Sequence, residues 1–146
     1  MVKVLIRKLD PAVKLPEYKT YGASGMDIMA FIKKPISLKP KMSSIIPTGL
    51  LVAFSKDYEI QIRPRSGLAA KNNISILNTP GTIDSDYRGE VKVIMYNHGK
   101  KEFTINNGDR IAQMILSPIL KIELEETNED LPETIRGEGG FGSTGK

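Results

Sequence analysis

The 146-residue chain has no cysteine, no tryptophan and one histidine, His98. The first absence excludes a disulfide framework, a thiolate zinc site and a cysteine nucleophile. A single histidine removes most multi-histidine metal sites and leaves any Ser-His-Asp scheme one possible base. No stretch approaches the roughly 18 apolar residues that span a bilayer. The N-terminal run from Met1 to Lys8 regains charge too soon for a secretory leader. These absences predict a soluble protein of a reducing, cytoplasmic compartment with no membrane association. Any catalysis then rests on carboxylates, hydroxyls, cationic side chains or a hydrated metal.

What is present is ordinary for one globular domain: 40% hydrophobic and 26% charged residues over a length of one domain unit. Lys and Arg number 21 against 17 Asp and Glu, a net charge of +4. That surplus suits phosphate-bearing partners. No basic run exceeds two residues and no tryptophan is available to stack bases, so stable nucleic-acid binding is not expected. The plain reading is a solvated basic surface.

The dominant hydrophobic period is two. Tyr58 to Arg63 alternates, with Tyr58, Ile60 and Ile62 on one face and Glu59, Gln61 and Arg63 on the other. Val2–Ile6, Ile45–Phe54, Glu90–Tyr96, Phe103–Ile105, Arg110–Leu116 and Ile119–Leu124 are also predicted strands. Turn clusters such as Asn97-His-Gly-Lys100 and Asn106-Asn-Gly-Asp109 separate them. Pro35, Pro40 and Pro47 argue against helix in the first third. One short helix is predicted over Ser66–Asn73, with Ser66 as N-cap and the Asn pair as stop. Many short strands with frequent turns indicate an all-β fold, and a jelly roll is one way to hide sheet edges.

Five segments carry polar groups that could do chemistry, and each has a plain alternative. Ser24-Gly-Met-Asp-Ile28 offers Asp27 to a hydrated Mg²⁺, or is a strand-edge turn. Arg63-Pro-Arg-Ser-Gly-Leu-Ala69 offers a guanidinium, a hydroxyl and free N–H groups to a phosphate, or is a capped helix start. In Gly81-Thr-Ile-Asp-Ser-Asp-Tyr-Arg-Gly89, Asp84 is placed to act as a base, or its carboxylate and its neighbours simply close a turn. Gln113 interrupts an apolar strand and must face solvent or find a partner. The ending Arg136-Gly-Glu-Gly-Gly-Phe-Gly-Ser-Thr-Gly-Lys146 is almost half glycine, as a frayed tail or a phosphate-wrapping lid would be. Its partial likeness to a Walker A loop fails, because no Ser or Thr and no helix follow the lysine.

Read in order, these motifs together with Gly108-Asp-Arg-Ile-Ala-Gln-Met-Ile115 resemble the five motifs of the trimeric dUTPases. The resemblance runs from the N-terminal strand to the last residues. It implies a jelly-roll homotrimer whose active sites are shared between chains, hydrolysing dUTP to dUMP and pyrophosphate with Mg²⁺. Such an activity limits uracil incorporation into DNA and supplies dUMP for dTMP synthesis.

By that resemblance Asp84 is the general base, and Asp27 holds Mg²⁺ through water. Arg65, Ser66 and Gly67 bind phosphate oxygens, and Gln113 reaches the phosphates of a neighbouring subunit's substrate. A hairpin from Asn78 through Thr82 and Ile83 reads uracil, largely through backbone groups. Tyr87 packs under the deoxyribose and denies room to a 2′-hydroxyl, while Lys92 lies near the substrate. Residues 1–135 then form the β domain, and 136–146 form a lid over a neighbour's site. In that lid Phe141 covers uracil, and Arg136, Gly142 and Ser143 meet the phosphates. His98 is expected to be a surface residue.

Two other classes stand beside this reading. A dCTP deaminase of the same fold would place a glutamate where the water attacks, and would lack this full glycine-rich ending. A non-catalytic nucleotide-sensing scaffold could keep every motif.

Overall fold

A computed structural model of the chain describes residues 1–140. Among them are eleven strands, β1 (Leu5–Lys8), β2 (Met26–Met29), β3 (Ile36–Leu38), β4 (Ser43–Pro47), β5 (Leu50–Ala53), β6 (Tyr58–Arg63), β7 (Ile74–Ile76), β8 (Gly81–Ile83), β9 (Lys92–Asn97), β10 (Phe103–Ile105) and β11 (Arg110–Pro118). One helix, α1 (Ser66–Asn72), joins β6 to β7. No helix among the described residues is long and apolar enough to cross a membrane.

Every strand pairing is antiparallel, in four small sheets. The largest has the order β2-β11-β6-β8, beside β4-β9-β7 and the pairs β1-β5 and β3-β10. Neighbours distant in sequence, such as β2 and β11, give the crossed connections of a distorted jelly roll. Alternation supplies the core: Ile60 and Ile62 of β6, Val93 and Met95 of β9 and Met114 of β11 point inward beside Ile46, Leu50 and Ile105. Each such side chain contributes about 1.5–3 kcal/mol by leaving water. Asn97, fully buried, is satisfied by donating to the Leu38 and Lys101 carbonyls and accepting from Gly99 N–H.

The strand expectations hold for Tyr58–Arg63 and Phe103–Ile105, and elsewhere need correction. The first strand starts three residues late, at Leu5. The run Ile45–Phe54 is divided into β4 and β5, because Gly49 turns the chain at φ +71°. A Cβ at Gly49 would lie 2.5 Å from Val13 Cγ2, so the turn also needs the missing side chain. The short strands β3 and β7 lack enough period to show in sequence. At α1 the N-cap is Arg65, with no side-chain cap bond, and Ser66 is already helical. Asn73 stops the helix in the left-handed region, φ 55°, as the Asn pair suggested.

The stretch Ile119–Leu124 is not a strand. Its alternation is real, but among the described residues nothing pairs with it beyond the Ile119 N–H bond to Asp57 C=O. Leu120, Ile122 and Leu124 are 97%, 79% and 86% exposed, a strand-like pattern with no partner among the described residues. On the loop between β1 and β2, the Lys19 ammonium hydrogen-bonds Glu17 and holds its carboxyl below the usual carboxylate range.

Candidate active site

The four-stranded sheet gathers most of the motif residues. Asp27 on β2 stands opposite Gln113 on β11, which stands opposite Arg63 on β6. Opposed residues of antiparallel strands share a face, so these three form a polar stripe on the side away from Ile60, Ile62 and Met114. Gln61 of β6 continues the stripe to Thr82 of β8. Gln113 is thereby explained: it lies half-buried on the outer face, where its amide is free of the core.

Asp27 is the hub of the first half-site. Its Oδ1 accepts from Arg65 Nε at 3.0 Å and its Oδ2 from Arg110 Nη1 at 3.4 Å. Arg65 Nη1 also donates to the Arg110 carbonyl at 3.2 Å. The carboxylate is only 10% exposed, so these charge-assisted bonds act in a partly dehydrated setting. Ser66 and Gly67 follow directly at the start of α1, both exposed, and nothing lies within 4 Å of the place a Gly67 Cβ would take. The result is a guanidinium, a hydroxyl and an open backbone side by side, a fit for phosphate oxygens.

A divalent cation can be tested against this donor set. Among the described residues no three His, Cys, Asp or Glu side chains come together. One carboxylate already engaged by two arginines cannot cage a cation directly. It fits Mg²⁺ held through water, with substrate phosphates completing the shell, as Mg²⁺ commonly binds.

The second half-site is a groove of about 310 Å³ lined by Ile45, Thr82, Ile83, Asp84, Tyr87, Glu90, Lys92 and Ile94. Its wall is apolar on the isoleucine side and polar on the other, the mixed lining of a small-ligand pocket. Asn78 approaches Gly81 from behind, with its Nδ2 3.5 Å from where a Gly81 Cβ would sit. The turn after β8 is closed by Tyr87 N–H donating to Asp84 C=O at 3.1 Å, and Arg88 Nη1 donates to Ser85 C=O at 2.7 Å. The turn therefore employs the backbone of Asp84, and its exposed carboxylate is left for chemistry.

Tyr87 is fixed at both ends. Its hydroxyl donates to the Glu90 carbonyl at 3.0 Å, and its ring covers Gly89, where a Cβ would lie 2.5 Å from the ring's Cζ. Gly89 is a glycine because the tyrosine occupies the space of its side chain.

Thus Asp27, Arg65, Ser66, Gly67 and Gln113 fall in one group, and Thr82, Ile83, Asp84, Tyr87 and Lys92 in another, with Asn78 behind it. Asp27 on β2 and Thr82 on β8 stand on opposite edges of the sheet, three strand spacings or about 14 Å apart, with Gln113 on a strand between them. Arg136 is in neither; its Nε donates to Gly139 C=O at 2.7 Å within its own exposed turn. Phe141, Gly142 and Ser143 lie outside the described residues. His98 is exposed as expected, bonded to Ser75 Oγ at 2.8 Å and edge-on to Tyr96. Sequence reasoning missed Arg110 and Glu90. Arg110 stands inside a recognised motif and Glu90 directly after one, but their partners are 83 and 41 residues away.

Comparison with known proteins gives a consistent result. A family model for dUTPase matches residues 12–145. The chain is 53% identical over 146 residues to a deoxyuridine 5′-triphosphate nucleotidohydrolase of Rickettsia bellii, covering 99% of this chain and 97% of the relative. It is 52% identical over 147 residues to the protein of that name from Fusobacterium nucleatum, with both covered in full. Its fold matches a variant of Staphylococcus bacteriophage 80alpha dUTPase with dUpNHpp at TM-score 0.84 and 24% identity, over 99% of both chains. A phage phi11 dUTPase variant, described with a structural Mg(II) ion, matches at TM-score 0.79 and 23% identity over 88% of this chain and 98% of its own.

Proposed function

The chain belongs to the dUTPase family and is a nucleotidohydrolase acting on dUTP, and we propose that it works by carboxylate-assisted attack of water on the α-phosphate. Asp84 takes a proton from the water as its oxygen bonds to the α-phosphorus. The bond from that phosphorus to the bridging oxygen breaks, so dUMP and pyrophosphate leave. The observation that carries this reading is the free Asp84 carboxylate at the rim of a groove whose wall includes Tyr87. A base must be held rigidly and left unengaged, and a turn closed by backbone bonds supplies both conditions.

The remaining groups bind and exclude. Thr82, Ile83 and Asn78 frame the base, where backbone groups of the hairpin can pair with uracil. The Tyr87 ring, pinned at its hydroxyl, lies under the deoxyribose and leaves no room for a 2′-hydroxyl. Arg65, Ser66, Gly67 and Gln113 take phosphate oxygens, with Asp27 orienting Arg65. Mg²⁺, held by Asp27 through water, would neutralise part of the triphosphate charge. Residues 136–146 form the lid, with Phe141 against uracil and Arg136, Gly142 and Ser143 on the phosphates, so that bulk water is excluded on closure.

The working unit is a homotrimer with shared sites. Two features support this. Asp27 and Thr82 stand about 14 Å apart across one protomer's sheet, so groups from different protomers can converge on one nucleotide. The Leu120-Ile122-Leu124 arm, exposed and strand-patterned, fits a neighbouring chain's edge.

The deciding experiment incubates protein and Mg²⁺ with dUTP, dCTP, dTTP and UTP separately, measuring pyrophosphate and identifying nucleotide products. Pyrophosphate and dUMP from dUTP alone is the expected result. Deamination of dCTP would overturn the reading in favour of a deaminase, and inactivity of a folded trimer on all four would leave a nucleotide-binding scaffold.

A further inference from the structure

Glu90 stands at the centre of a set of bonds that the proposed chemistry does not use. Its Oε1 accepts from the Gly49 N–H at 2.8 Å, reaching across to the turn between β4 and β5. Its Oε2 lies 3.7 Å from Lys92 Nζ, and its backbone carbonyl accepts the Tyr87 hydroxyl at 3.0 Å. The next residue is strapped to the same turn. Thr48 Oγ1 donates to Val91 C=O at 2.6 Å, and Val91 N–H donates to Leu50 C=O at 2.8 Å. The glutamate side chain is 19% exposed, and the Lys92 side chain 51%.

The Gly49 end of this strap is rigid. Gly49 sits at φ +71° between Val13 and Phe31, and its carbonyl accepts Leu9 N–H at 2.9 Å. A carboxylate bonded to a fixed amide fixes its own backbone in turn, and here that backbone carries the acceptor from which the tyrosine hangs.

We propose that Glu90 is a specificity-determining positioning residue, which anchors the Tyr87 ring and Lys92 to the Gly49 turn and so sets the clearance beneath the sugar. This rests on the reading that Tyr87 faces the deoxyribose. Glu90 itself need touch no substrate. Its carboxylate acts through the 90–92 backbone, and losing the Gly49 bond lets the ring move away and admit a 2′-hydroxyl.

The test compares kcat and KM for dUTP and UTP in the wild-type enzyme with Glu90→Ala, Glu90→Gln and Glu90→Asp, with thermal unfolding alongside. Glu90→Gln keeps an oxygen within reach of the Gly49 amide, and should hold the dUTP/UTP ratio of kcat/KM within about twofold of wild type. Glu90→Ala, and Glu90→Asp with its shorter reach, should each lower that ratio about tenfold, through a lower KM for UTP more than through kcat. A wild-type ratio in a folded Glu90→Ala protein overturns the inference. If alanine unfolds the chain, the other two variants decide: loss in Gln with retention in Asp means that charge beside Lys92, not the Gly49 tether, is what matters, and the inference fails. A wild-type enzyme inert toward dUTP would instead bring down the proposed function itself.

Discussion

Arg65 Nε lies 3.0 Å from Asp27 Oδ1, joining two motifs 38 residues apart in the sequence. Together with the bond from Nη1 to the Arg110 carbonyl, this pairing leaves Nη2 of Arg65 without a partner among the described residues, open to the phosphate contact proposed above. A flexible arginine is thus converted into an oriented one before substrate arrives, which lowers the ordering cost of binding. Asp27→Asn keeps the shape and removes the charge. It should raise KM for dUTP about tenfold at saturating Mg²⁺ and destabilise the fold by about 1–2 kcal/mol. Steady-state kinetics and urea unfolding check both; an unchanged KM would mean that Arg65 orients itself.

Asp84→Asn should leave dUTP binding nearly intact and lower kcat by about 10²–10⁴, the range for loss of a general base. Calorimetric titration with a non-hydrolysable dUTP analogue, beside turnover measurements, separates the two effects. A variant turning over at near wild-type rate would remove Asp84 from the role of base.

Gly89→Ala places a methyl group inside the Tyr87 ring. The ring must swing out or the 88–90 backbone must shift, at a cost of about 1–3 kcal/mol. Selectivity against UTP should fall with it. Gly89→Ala combined with Tyr87→Ala should recover most of the lost stability, since the small side chain vacates the contested space. Denaturant midpoints of the two variants are the measurement.

Removing residues 136–146 should leave a folded trimer with turnover reduced by two or more orders of magnitude, as roughly expected when a site can no longer exclude water. Sedimentation analysis and a pyrophosphate assay read the two properties separately. If the truncated chain dissociates, the segment is holding subunits together and is no lid.

Gly49→Ala should cost more than an ordinary surface change. The residue would carry a side chain at φ +71° and press on Val13 and Phe31, so a loss of about 2–4 kcal/mol is expected. Thermal unfolding checks the value. A loss within about 0.5 kcal/mol, the scale of a surface substitution, would mean that the turn relaxes freely.

The strand pattern of this protein was legible wherever one face is wet and the other dry. Tyr58–Arg63 is the clear case, because Ile60 and Ile62 alternate with Gln61 and Arg63 across a real boundary between core and solvent. Ile119–Leu124 shows the limit of the same signal. Period two states what a segment can pair with and says nothing of whether a partner is present, and here the described residues offer none. The motif residues were readable as types in order, so Asp27, Arg65, Asp84, Tyr87 and Gln113 could be named. Their couplings could not. The bonds from Arg110 to Asp27 and from Glu90 to Gly49 close loops of 83 and 41 residues. Nothing local to either arginine or glutamate marks the far end of such a loop. The role of Gly89 was hidden for a related reason: a glycine that makes space for a ring two residues earlier looks, in sequence, like any turn glycine.

Strand β11 is hydrogen-bonded on both flanks, to β2 over Arg110–Met114 and to β6 over Gln113–Pro118. An interior strand of this kind cannot exchange its amide hydrogens by local fraying; it opens when the whole domain opens. Gln113 and Met114, paired on both flanks at once, should therefore open slowly, whereas the turn bearing Asp84 follows an edge strand. Proteolytic nicking or mild heat should reach Asp84, the proposed base, before it disturbs Gln113, proposed to meet the phosphates. A partly damaged enzyme of this build should lose its chemistry before its grip on the nucleotide.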